Sequence, residues 1–94
     1  MPLNFDWYED KAKQKLRKHE ISFEEAKTVF DDSLSVTIDD PDHSIEEDRY
    51  IDIGVSARGQ LLVVVYTEQE TEIRIISCRK ATAFERRVYE EGNS

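Results

Sequence analysis

Near residue 34 the spacing of apolar residues changes from the three-and-four rhythm of a helix to the alternation of a strand. In "FDWYEDKAKQKLRKHE", Tyr8, Ala12, Leu16 and His19 share one helical face, and Lys11, Lys15 and Lys18 fall off it. Asp6 followed by Glu9 predicts a capping box at the helix start. In "ISFEEAKTVFDD" the stripe is Phe23, Ala26 and Phe30 with Val29 beside it, and Ser22 with Glu25 predicts a second capping box. The break at Glu20-Ile21 is short, so the two helices are expected to pack as neighbours.

From Leu34 onward the period is two. "LSVTID" sets Leu34, Val36 and Ile38 on one face, and "RYIDIGVSA" does the same with Ile51, Ile53 and Val55. The polar "DPDHSIEED" separates them, and Arg58-Gly59 marks a turn. "QLLVVVYTE" is apolar on both faces and reads as the central strand. In "IRIISCRK" strict alternation puts Ile73, Ile75, Ser77 and Arg79 on one face and Arg74, Ile76, Cys78 and Lys80 on the other. Thr82 with Glu85 predicts a capped final helix. The predicted class is α+β, one domain over 1–94. It has an antiparallel four-stranded sheet plus a short N-terminal strand. Two N-terminal helices cover one face, and a C-terminal helix lies at the edge of a half-open second face.

Charge sharpens this picture. The net charge is -8, yet residues 49–94 balance, and all six basic residues of the first half lie in 11–27. Residues 31–48 hold eight acids and no base. Overall acidity argues against nucleic acid, while the clustering of cations leaves it open. A single cysteine, Cys78, excludes an internal disulfide and a multi-cysteine metal site and reads as a small buried hydrophobe. The longest apolar run, residues 61–66, is far short of the roughly 20 residues of a membrane span. The start lacks the basic and apolar regions of a secretory signal, so a cytoplasmic location with no membrane contact is expected.

The cations Arg74, Arg79 and Lys80 gather on the last strand, beside Tyr66 and Glu68 of its neighbour. Guanidinium groups suit phosphate oxygens and growing transition-state charge. Salt bridges from Arg74 to Glu68 or Glu72 are the competing reading. Glu68 is either a general base or a hairpin-end charge. His19 reads as a packed residue on an apolar stripe and His43 as a solvated one. Asp39, Asp40, Asp42, Glu46, Glu47 and Asp48 lack the glycine and ordered repeat of a calcium loop, so neither metal nor cofactor is expected.

Nearly the whole chain resembles one family. "FDWYEDKAKQKLRKHEISFEEA", "DPDHSIEEDRYIDIGVSARGQLLVVVYTE" and "IRIISCRKATAFERRVYEE" are similar, in that order, to segments of the BrnT toxins. The resemblance implies a RelE-like fold and a type II toxin–antitoxin toxin, a metal-independent ribonuclease that cuts mRNA and stops translation. It implies a BrnA-type ribbon-helix-helix antitoxin, through which alone operator DNA is met. Carried onto this sequence, it gives Arg74 and Arg79 to phosphate stabilisation, Lys80 to assistance, Glu68 and Tyr66 to acid–base work, and Lys18 and His19 to the RNA groove. Departures stand at Tyr8 (usually Asp), Lys15 (Asn), Glu20 (Gly), Cys78 (Ala) and Tyr66 (often His). Tyr66, with an ordinary pKa near 10, suits proton transfer at neutral pH less well. An inactive antitoxin-binding co-repressor is therefore the alternative function.

The acidic stretch 31–48 is expected either to meet basic segments of the antitoxin or simply to keep the chain soluble. On the first reading, charge reversal at Asp39, Asp40 and Asp42 should weaken antitoxin binding and leave RNA cleavage intact; unchanged affinity in a binding titration would discard it.

Overall fold

Between residues 9 and 80, helices form before residue 34 and strands after it, as the change of period requires; a short strand precedes them and a helix follows. A computed structural model describes residues 4–39 and 49–93. The elements are β1 (Asn4–Asp6), α1 (Glu9–His19), α2 (Phe23–Lys27) running into a 3-10 turn (Thr28–Asp31), β2 (Val36–Asp39), β3 (Arg49–Val55), β4 (Leu61–Gln69), β5 (Glu72–Lys80) and α3 (Ala83–Gly92). The expected loop with His43 and most of the acidic stretch lies outside the described residues.

The strands make one five-stranded sheet, ordered β1-β5-β4-β3-β2. The expectation of four strands with a separate N-terminal piece is corrected here: β1 joins the sheet edge, parallel to β5, with Asp6 opposite Arg74. The β2–β3, β3–β4 and β4–β5 pairs are antiparallel, as short connections require.

The decisive irregularity is in β5. Val65 pairs with Ser77 but Tyr66 with Ile75, so Ile76 is an extra residue, a β-bulge. Against β3, β4 is regular throughout, so the break belongs to β5. Strict alternation would put Arg74 and Arg79 on opposite faces. With the bulge, Arg74 pairs with Thr67 and Arg79 with Val63, and those two share a face of β4.

Each face has its own core. On the first, Leu62, Val64, Ile75 and Cys78 pack beneath Ile21, Phe23, Ala26 and Val29 of the α1–α2 layer. On the second, Ile53, Leu61 and Val63 pack against Val88 and Tyr89 of α3. The C-terminal helix therefore lies on the second face rather than at its edge. Ile51, Ile53 and Val55 belong to this second face, and Asp52 and Gly54 are the buried β3 residues under the first.

Local signals succeeded unevenly. Thr82 and Glu85 form the complete capping box. Ser22 Oγ accepts from the Glu25 amide, but the Glu25 carboxylate does not return the bond. It is buried instead, accepting from Ser56 Oγ at 2.7 Å and Gln60 Nε2 at 2.8 Å, so it ties α2 to the β3–β4 turn. Helix α1 has no side-chain cap: Tyr8, not Asp6, takes the N-cap position, and Asp6 lies in β1, where Arg74 engages it. The stripe expected of α1 is barely buried: Tyr8 and Leu16 are exposed and Ala12 alone of the four packs on the core. Glu20 ends α1 in the left-handed region, at φ 59, a conformation that favours glycine.

Gly54 is where the 3-10 turn presses on the sheet. A Cβ there would lie 2.8 Å from Val29 Cγ1 and 3.0 Å from Ser35 Cβ. Gly54→Ala should cost about 1–3 kcal/mol through this overpacking, seen as a lower urea midpoint at unchanged m-value; an unaltered midpoint would show that the turn yields freely.

Candidate nucleic-acid interface

Helix α3 covers only one end of the second sheet face. Beyond it lie Arg49 of β3, Val65 and Thr67 of β4, and Arg74, Ser77 and Arg79 of β5, all on that face by register. Lys11, Gln14 and Lys15 of α1 form the facing wall of a groove of about 340 Å³ with Arg49, Val65, Ile76 and Ser77. A smaller concavity of about 120 Å³ continues it past Lys11, Arg49 and Ile76 to Tyr8, Thr67, Gln69 and Arg74. The bulge turns Ile76 into this wall.

Arg74 stands at one end. Its Nη2 donates to Asp6 Oδ2 at 3.1 Å and its Nη1 to Tyr8 Oη at 3.2 Å, with the guanidinium carbon 5.1 Å from the Tyr8 ring centre. Its Nε is buried and no acceptor reaches it. The pairing with Glu68 or Glu72 expected from sequence is not formed, because Asp6 of β1 is the nearer acid. Arg79 stands about 15 Å along the strand, at roughly 3.3 Å per residue. Its Nη1 and Nη2 donate to Glu85 Oε1 and Oε2 at 2.6 and 2.7 Å. Glu85 Oε1 also accepts from the Thr82 amide, so the capping box of α3 holds the carboxylate that holds Arg79. That guanidinium pulls the Glu85 carboxyl down to about 2.

His19 continues the Lys11–Lys15 stripe at the Arg79 end. Its pKa is lowered, first by loss of solvent around the half-buried ring and then by the charges of Lys18, Lys15 and Arg79. A neutral imidazole among cations can accept a proton near pH 7.

The remaining sequence candidates fall elsewhere. Tyr66 lies on the first face at 4% exposure, with Phe30 4.9 Å and Tyr50 5.7 Å away between ring centres. Burial and the Asp52 charge push its phenol up to about 12. Glu68 pairs with Ile73 and shares Tyr66's face, opposite to Arg74. Strand register thus separates these two acid–base candidates from the cations they were expected to serve. Lys80, exposed and paired with Leu62, also belongs to the first face. Lys18 lines the outer side of α1 with Arg17 and Lys13. Sequence reading missed Lys11, Lys15 and Arg49. The signal of the two lysines was their repeat at i and i+4, which looked like an ordinary solvated face; Arg49 carried no such signal.

Fold and site together define a small α+β protein with a cationic groove suited to a polyanion. A family described as the ribonuclease toxin BrnT of type II toxin–antitoxin systems matches residues 7–85, so the chain belongs to the BrnT family, and an antitoxin partner is implied. No curated protein matches. The crystal structure of the Brucella abortus ribonuclease toxin BrnT is similar, with a TM-score of 0.68 over 86% of this chain and 99% of that one at 18% identity. At that identity the likeness concerns the fold.

The Arg79–Glu85 pair has a pH signature. The folded carboxyl is depressed to about 2 from an ordinary 4.5, so the unfolded chain binds the extra proton between those values. Its contribution is full above pH 4.5 and is lost as pH falls toward 2. Glu85→Gln should lower stability by about 1–2 kcal/mol at pH 7 and flatten that part of the profile; identical urea midpoints at pH 7 would refute the linkage.

Proposed function

We propose that the chain is a metal-independent endoribonuclease that cuts mRNA in this groove, halts translation in the cytoplasm, and is neutralised by a BrnA-type ribbon-helix-helix antitoxin. The fold is read as RelE-like. One observation carries the reading: in a protein of net charge -8, Lys11, Lys15 and Arg49 line a groove between α1 and the second sheet face, with Arg74 at one end and the Glu85-held Arg79 and His19 at the other.

The chemistry follows from those groups. His19 takes the proton of the 2′-hydroxyl, whose oxygen attacks the adjacent phosphorus. Arg79 and the lysines stabilise the pentavalent phosphorane. The P–O5′ bond breaks, the 5′ oxygen takes a proton from groove water, and a 2′,3′-cyclic phosphate remains. Arg74 anchors the strand at the far end. Lys80, on the first face, and Lys18, on the outer side of α1, act only through long-range attraction, which screens over about 8 Å at physiological salt. The acid–base work assigned from sequence to Glu68 and Tyr66 passes to His19.

A second reading has its own observation. Arg79 is neutralised by Glu85, and both Tyr66 and Glu68 face away, which suits a chain that binds the antitoxin and co-represses without cleaving.

The wild type and the Arg79→Ala and Arg74→Ala variants, induced in cells lacking the antitoxin, separate the two. Growth arrest and loss of labelled amino-acid incorporation are expected for wild type alone. In purified form, with EDTA present, Arg79→Ala should lower cleavage about 10²–10³-fold. The cleavage rate should fall on the acid side, at a pH below the ordinary histidine range, as His19 protonates, and His19→Gln should remove that dependence. Normal growth with soluble wild-type protein would establish the second reading.

A further inference from the structure

The 120 Å³ concavity at the Arg74 end differs in chemistry from the rest of the groove. A phosphate site needs only cations and N–H donors. This pocket adds an aromatic ring, an apolar side chain and an amide. Tyr8 is 57% exposed, although a tyrosine contributes most when its ring is covered. Its hydroxyl accepts from Arg74, whose guanidinium also lies over one face of the ring, so the ring is held in place and its other face is presented. Ile76, aimed by the bulge, supplies an apolar wall. Gln69, exposed at the end of β4 on the same face as Arg74, carries a donor and an acceptor on one amide. Lys11 and Arg49 line both this concavity and the groove, where the flanking phosphate would pass.

We propose that this pocket is a nucleobase subsite: one unstacked RNA base lies against the Tyr8–Arg74 platform with its edge toward Gln69, which sets where along the strand cleavage falls. The inference rests on the ribonuclease reading and adds a specificity determinant to it. Single-stranded RNA is recognised through splayed bases stacked on aromatic rings and guanidinium planes, with hydrogen bonds to their edges. The buried, unpaired Nε of Arg74 fits a side chain placed for function at some cost in stability.

The test is binding of 2′-O-methyl RNA octamers, which lack the attacking hydroxyl, to the full chain by fluorescence anisotropy, with an abasic residue at each position in turn. For wild type, one abasic position should weaken binding roughly tenfold, the scale of one base–aromatic stack, and the others little. Tyr8→Ala should bind the intact octamer about tenfold more weakly and show no further loss at that abasic position. Tyr8→Phe lacks the Arg74 hydrogen bond but keeps the ring, and should behave as wild type. Circular dichroism confirms that both variants fold. A position-specific abasic loss that persists in Tyr8→Ala, or a wild type indifferent to every abasic position, overturns the subsite and leaves the ribonuclease reading standing. No binding of any octamer, together with no cleavage of RNA, overturns both.

Discussion

One extra residue in one strand organises the cationic side of this molecule. The bulge at Ile76 shifts the alternation of β5 by one, so that Arg74, before it, and Arg79, after it, face the same side of the sheet. The same shift leaves Ile75 and Cys78 both facing the first core, three residues apart where alternation would allow only two or four. A regular β5 would aim one arginine into the apolar layer under α1 and α2. The energetic penalty of burying an unpaired guanidinium there makes that alternative untenable. Core packing and the cationic face are therefore two consequences of a single register decision.

The arginines are then fixed from outside the sheet. Asp6 and Tyr8, at the edge strand and the start of α1, hold Arg74; Glu85, in the cap of α3, holds Arg79. Each clamp links an N- or C-terminal element to β5, so chain ends that look peripheral set the geometry of the groove. Acidity elsewhere does not cancel the groove's field, because screening confines charges to short range. The buried Glu25 carboxylate, bridging α2 to Ser56 and Gln60, serves the scaffold and lies under the opposite face.

Family membership, the α+β class and the helix-then-sheet order were all legible in the sequence. What was not legible concerns which groups meet. Tyr66 and Glu68 neighbour Arg74 in a hairpin, yet hairpin partners one step out of phase face opposite sides. Lys11 and Lys15 looked like a solvated face because the stripe rule assumes a helix with one buried side, and α1 buries little of Tyr8 and Leu16. His19 was placed in the groove by resemblance and reads as packed by pattern. Its lowered pKa comes first from lost solvent and then from Lys18, Lys15 and Arg79; of these charges, Arg79 is the one that tertiary folding brings near.

By itself the sequence determined what is local: the periods of helices and strands, the Thr82–Glu85 cap, the turn at Gly59, and a motif order specific enough to declare the family. Those features depend on neighbours within a few residues, and their physics is written in spacing. Tertiary structure alone decided the bulge, the seat of α3 on the second face, the partners of Arg74, Arg79 and Glu25, and the burial of Tyr66. Each is a competition between groups distant in sequence for one acid, one face or one cavity. It is settled by which arrangement leaves the fewest buried polar groups unpaired and the fewest voids in the core.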